Sequence, residues 1–157
     1  MVSQHMKQVT LSSKDAAVLL QDYTISVSKK DLVQKVQTDT LTFLSINKEL
    51  CFFDYDGKYV PTLRYLQTHS LLKTITVDMG AIKFVVNGAD IMRPGIAEIA
   101  VDIQKDEFIV IVDINNKKPI AVGIALFRSQ EMQSMSTGKV IKNIHYVGDE
   151  IWKFNSD

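Results

Sequence analysis

The chain is poor in the residues that most often announce a chemistry. It has a single cysteine, Cys51, which excludes an internal disulfide and any multi-cysteine zinc site and suits a reducing compartment. Its three histidines, His5, His69 and His145, fall at no metal-ligand spacing, and no CxxC pair occurs, so no metal site is expected. A Walker loop and a GxGxxG fingerprint are both absent. No run approaches the ~20 apolar residues of a membrane helix, and no signal peptide is expected ahead of the fold. The reading is therefore cytoplasmic, with no membrane partner. Net charge is missing as well, since 18 Lys and Arg balance 18 Asp and Glu. That excludes a strongly basic protein that coats nucleic acid non-specifically, so any RNA or DNA site must be a local patch.

What is present is the material of an ordinary folded chain. Apolar residues make up 46% and charged residues 23% of 157, enough for one domain or two small ones. The opening "MVSQHM" has no pattern, and Met6 offers an alternative start with residues 1–5 as a remnant. Ser12 and Ser13 precede "KDAAVLLQDY", which reads as a short serine-capped helix. Alternation then takes over in "LVQKVQT", "TLTFLSI" and "ELCFFDY", turned at Asn47-Lys48 and Asp56-Gly57, which predicts an antiparallel meander. Pro61 opens "PTLRYLQTH", expected as a helix to about His69. Asp78 caps a second helix, "MGAIKFVVN", in which Ile82, Val85 and Val86 share one face and Lys83 and Asn87 another. Three β-rich runs follow, "AEIAVDI", "EFIVIVDI" and "PIAVGIALF", then a short polar helix at "SQEMQSM". Two last strands are expected in "KVIKNIHYV" and "EIWKF", turned at Gly148-Asp149. One main helix with many short strands suggests a small, nearly closed barrel.

No residue offers itself for catalysis. Cys51 and His145 read as structural residues inside strands, and Trp152 as a core plug with base stacking as its other reading. The stretch that stands out is Asn87 to Ile96, "NGADIMRPGI". Gly88 permits a positive φ at the end of a helix. With small Ala89 beside it, an extended partner could approach the main chain, flanked by Lys83 and Arg93. The other reading is a tight helix-to-strand turn whose glycine serves geometry alone. The residues by themselves leave both open.

At this motif the sequence resembles the PUA domain, an RNA-binding fold. The matching segments run in order: "DMGAIKFVVNGADIMRPGI", "PIAVGIAL" and "GKVIKNIHYVGDEIW", the last carrying an HYxGDxxW signature. Upstream, "FFDYDGKYVPTLRYLQTH" followed by "VDMGAIKFVV" is similar to the pre-PUA plus PUA arrangement of the malignant T-cell-amplified sequence family and its archaeal relatives. The N-terminal half of ligatin is similar too, and the resemblance runs from about Lys7 to Phe154.

The resemblance implies an α+β chain with a small α/β pre-PUA domain over residues 1–73 and a PUA pseudo-β-barrel over 74–157. It implies no catalytic activity and no cofactor. It places the RNA surface on Lys83 and Asn87, then Gly88, Ala89 and Asp90, with Arg93 and Lys153. The partners implied are RNA (tRNA through its CCA acceptor end, or rRNA), the small ribosomal subunit, and density-regulated protein with its initiation-factor-one-like domain. The rival readings are an accessory in RNA modification or ribosome biogenesis, and a protein–protein adaptor. Asp90 stands out among the site residues, because a carboxylate repels phosphate unless it accepts a hydrogen bond from a base or 2′-OH. Residues 74–157 carry nine basic and eleven acidic side chains, so the RNA contact should be narrow.

Overall fold

A computed structural model describes residues 5–154 and divides the chain into two units, residues 1–65 and 66–157. Residues 1–4 of the candidate remnant lie outside the described residues.

The first unit is a five-stranded antiparallel sheet laid out in chain order: β1 (Lys7–Leu11), β2 (Val33–Gln37), β3 (Thr42–Ile46), β4 (Glu49–Tyr55) and β5 (Lys58–Pro61). The two expected hairpin turns have the left-handed backbone that two-residue loops demand, with φ of 52° and 75° at Asn47 and Lys48 and 52° and 85° at Asp56 and Gly57. A short helix, α1 (Ser13–Leu19), starts where Ser12 Oγ accepts the Asp15 amide at 3.0 Å. Cys51, Phe52 and Phe53 of β4 are all buried. Burial, with the Glu49 carboxylate adding to it, pushes the Cys51 thiol up to about 12, so it remains a protonated core residue at neutral pH.

Two expectations fail in this unit. Pro61 does not open a helix: it closes β5, opposite Phe52 on the sheet edge, where a missing amide costs no ladder bond. The helix after it, α2 (Leu63–Leu66), is one turn long and is capped by Thr62, whose Oγ1 accepts the Tyr65 amide at 3.3 Å. β1 was not expected at all.

The second unit contains β6 (Lys73–Val77), α3 (Met79–Val85), β7 (Ile91–Met92), a single 3-10 turn (Arg93–Gly95), β8 (Ile96–Ile99), β9 (Phe108–Asp113), β10 (Pro119–Ala125), α4 (Ser129–Ser134), β11 (Lys139–Tyr146) and α5 (Glu150–Phe154). Its sheet runs β7-β11-β10-β9-β6-β8, with β6 and β9 parallel and the other pairs antiparallel. The two edge strands, β7 and β8, are consecutive in the chain and are separated only by Arg93–Gly95. Three residues reach at most about 10 Å. The edges are therefore forced together, and the sheet curls into a nearly closed barrel. Ile75, Val77, Ile109, Ile111, Ala121 and Ile141 fill its interior at 0% exposure, and Met132 of α4 is equally buried in the same core.

"EIWKF" is a helix, α5, and not the expected last strand. Asp149 decides it: its Oδ1 accepts the Trp152 amide at 2.9 Å, capping a first helical turn where the alternating apolar pattern suggested extension. Trp152 is half-buried on this helix and does not plug the core. Lys153 accordingly lies on a helix.

Gly123 lies mid-strand in β10, at the point where its pairing with β11 shifts register. A Cβ there would lie 2.5 Å from Ile141 Cγ2 and 2.8 Å from the Lys142 carbonyl oxygen. Gly123→Ala should therefore cost about 1–3 kcal/mol through overpacking, measured by urea denaturation. An unchanged midpoint would show that β11 can give way.

Candidate nucleic-acid interface

The region around α3 is built from both of its ends. At the start, Asp78 Oδ1 accepts the Ala81 amide at 3.0 Å, the expected cap. At the end, Gly88 takes φ +91°, and the amides of Gly88 and Ala89 return to the carbonyls of Val85 and Phe84, each at 3.0 Å. That satisfies the open carbonyls of the last turn, as a left-handed cap does. The space at Gly88 is also taken. A Cβ built there would stand 3.0 to 3.2 Å from the ring and hydroxyl of Tyr146. The bare Cα thus lets Tyr146 pack closely under the turn.

Beyond the glycine the chain is fastened to β11 by a two-way clip that the sequence did not reveal. Asn143 Nδ2 donates to the carbonyls of Val85 and Ala89, both at 3.0 Å, and the Asn143 amide donates to Asp90 Oδ1 at 2.9 Å. Asp90 Oδ2 accepts from Lys139 Nζ at 3.3 Å. Asn87 Nδ2 donates to the Lys83 carbonyl at 2.8 Å. Arg93, at the barrel seam, has its Nε on the Met132 carbonyl at 2.6 Å and a terminal nitrogen on the Ile96 carbonyl at 3.3 Å. Its guanidinium ties the seam to α4.

Between α3 and the segment Ala89–Gly95 runs an open, mainly apolar groove of about 790 Å³, within the size range of small-ligand sites. Phe84, Val85, Ala89, Met92 and Pro94 line it, with Lys139 on its wall. Phe84 is 57% exposed and Met92 50%, so two large apolar side chains stand open to solvent along it. Lys83 Nζ sits 5.1 Å from the centre of the Phe84 ring. An exposed ring and a thioether beside two ammonium groups can accept a flat base while its phosphates stay near positive charge.

Of the residues singled out from sequence, Ala89 and Asp90 line this groove, and Lys83 reaches over the Phe84 ring. Asn87 and Gly88 shape the turn next to it. Arg93 is engaged with two carbonyls, and Lys153 stands on α5 outside the groove lining. Phe84, Met92, Lys139 and Asn143 escaped the sequence reading. Phe84 alone had a signal, since it falls outside the buried face of Ile82, Val85 and Val86.

Tyr146 is held from behind. Its amide donates to Asp149 Oδ2 at 3.0 Å, and the same carboxylate receives the ring of His145, with Nδ1 2.9 Å from Oδ2. His145 is 1% exposed, so this strand histidine is structural. Burial acts to raise the Asp149 carboxyl. The hydrogen bond and charge of His145, joined by the Trp152 and Tyr146 amides, outweigh it and hold the group below the ordinary carboxylate range.

Comparison with known proteins matches two family models along the chain. A family model described as a PUA domain matches residues 73–147, and one described as a domain of unknown function, DUF1947, matches residues 9–69. An uncharacterized protein of Methanocaldococcus jannaschii is 42% identical over 94% of this chain and 92% of its own length. Translation machinery-associated protein 20 of Schizosaccharomyces pombe is 34% identical over 80% of this chain and 72% of its own. The crystal structure of a hypothetical protein from Pyrococcus horikoshii superposes with a TM-score of 0.84 at 28% identity, covering 96% of this chain and 100% of that one.

The depressed Asp149 carboxyl makes a pH prediction. A group whose folded pKa lies below its unfolded value stabilises the fold above the unfolded pKa, about 4, and that contribution is lost as pH falls through the folded value. Asp149→Asn should therefore flatten the acid side of the stability profile below about pH 4, followed by denaturant midpoints across pH. An acid limb identical to the unsubstituted protein's would contradict the role given to Asp149.

Proposed function

The chain belongs to the PUA-domain family that takes in translation machinery-associated protein 20 and malignant T-cell-amplified sequence 1, and we propose that it is a non-catalytic RNA-binding protein of translation. One observation carries the reading: the groove beside the glycine turn exposes Phe84 and Met92 between Lys83 and Lys139. A solvated aromatic ring flanked by ammonium groups suits an unpaired base and its phosphates, and suits a folded RNA's single-stranded end better than a duplex. The names of the relatives support the translational setting.

In this reading the barrel, residues 74–157, takes the CCA acceptor end of a tRNA. Lys83, Asn87, Gly88, Ala89 and Asp90 form the surface, and Arg93 and Lys153 lie further out. Residues 1–73 supply a second surface, for the small ribosomal subunit. An initiation-factor-one-like partner protein joins from a separate chain. Three or so phosphate contacts account for an RNA site on a chain whose charges balance, and they give a log–log salt slope of only about −2 to −3.

Ala89 provides the test. It lines the groove and is exposed, so a valine there narrows the groove while asking nothing unusual of the backbone. Ala89→Val should keep near-native stability and lose affinity for tRNA ending in CCA, while losing little towards tRNA trimmed of those nucleotides, read by filter binding. Equal affinity of the unsubstituted protein for intact and trimmed tRNA would contradict the acceptor-end reading.

A further inference from the structure

Among the described residues that line the groove, Lys139 is the only cation. Lys83 stands outside the lining, over the Phe84 ring, Lys153 lies on α5 outside it as well, and Arg93 holds the carbonyls of Met132 and Ile96. Lys139 itself is paired, its Nζ 3.3 Å from Asp90 Oδ2, with side-chain exposures of 53% and 34%. Such a solvent-exposed pair is a weak one, readily exchanged for a backbone phosphate, which offers the same charge and two charge-assisted acceptor oxygens. The other oxygen of Asp90 has a different task, accepting the Asn143 amide at 2.9 Å and so closing the clip on the turn.

We propose that Lys139 is the phosphate contact of the groove and that Asp90 is its keeper, releasing the ammonium group when single-stranded RNA enters. The inference rests on the RNA-binding reading and deepens it. It gives the carboxylate that looked out of place on a phosphate path a role other than base contact. Asp90 sets the affinity by competing with phosphate for Lys139.

The two tasks of Asp90 can be separated. In Asp90→Asn the amide oxygen can still accept the Asn143 N–H, but the ion pair is gone. Binding of a short fluorescein-labelled single-stranded oligonucleotide ending in CCA, followed by anisotropy, should tighten several-fold in Asp90→Asn. It should weaken several-fold in Lys139→Ala, with the salt slope reduced by about 0.7, one single-strand phosphate contact. The double variant should bind like Lys139→Ala. Weaker binding by a folded Asp90→Asn would make Asp90 a direct contact and overturn the proposal, as would no change. A gain from Asp90→Asn that persists undiminished in the Lys139→Ala background would show simple charge repulsion without a keeper, and would overturn it too. Should Asp90→Asn fail to fold, the salt slope decides: a slope unaltered in Lys139→Ala removes the phosphate contact. If the unsubstituted protein binds neither the oligonucleotide nor tRNA, the RNA-binding reading falls and takes this proposal with it. If it binds and the variants behave otherwise than stated, only this proposal falls.

Discussion

Everything at the candidate site depends on one reciprocal clasp between the turn after α3 and strand β11. The Asn143 side chain holds the Val85 and Ala89 carbonyls, and the Asn143 backbone is held in return by the Asp90 carboxylate. Strand β7 has only two residues, so the ladder it forms with β11 ends at Ile91 and Ile141. Asp90 supplies with its side chain the acceptor that a longer strand would have supplied with its main chain. Without that substitution an amide of β11 would be left unpaired, at a cost comparable to a lost hydrogen bond. The clasp thereby aligns Ala89, Ile91 and Met92 along one wall of the groove.

The same segment has a second constraint, at the seam of the barrel. Arg93–Gly95 carries the chain from one edge of the sheet to the other, and Asp78 joins the seam to α3 through its amide on the Gly95 carbonyl at 3.0 Å. The groove is thus walled by a capped helix on one side and the barrel's closing turn on the other. Both walls are parts of the fold that must form for the sheet to close, so the geometry is set before any ligand arrives. The arginine that drew attention in the sequence serves this closure, with its guanidinium bonded to main-chain oxygens across the seam.

How much of this was legible follows from how local each cause is. The hairpin turns at Asn47-Lys48 and Asp56-Gly57, the Asp78 cap and the Gly88 stop were readable because their causes lie within a few residues. The misreadings come from signals that point two ways. The alternation of "EIWKF" fits a strand until Asp149 is seen to cap it, and Pro61 fits a helix start as well as a sheet edge. β1 lacks alternation because Lys7 to Thr10 are all exposed, so no face is marked. Asn143 and Lys139 act on residues 49 to 58 positions away, the shortest being Lys139 on Asp90 and the longest Asn143 on Val85. No spacing rule reaches that far. The family resemblance directed attention to the turn after α3, and the exposure of Phe84 and Met92 required the folded chain.

The central claim is that the groove beside the glycine turn is where RNA binds. Amide chemical-shift mapping of the whole protein, titrated with an acceptor-stem minihelix ending in CCA, tests it most directly. The account predicts that the shifts gather on Gly80 to Gly95 and on Lys139 to Asn143, with Val110 to Asp113 of β9 unmoved. Shifts confined to residues 1–65, or centred on β9, would contradict it.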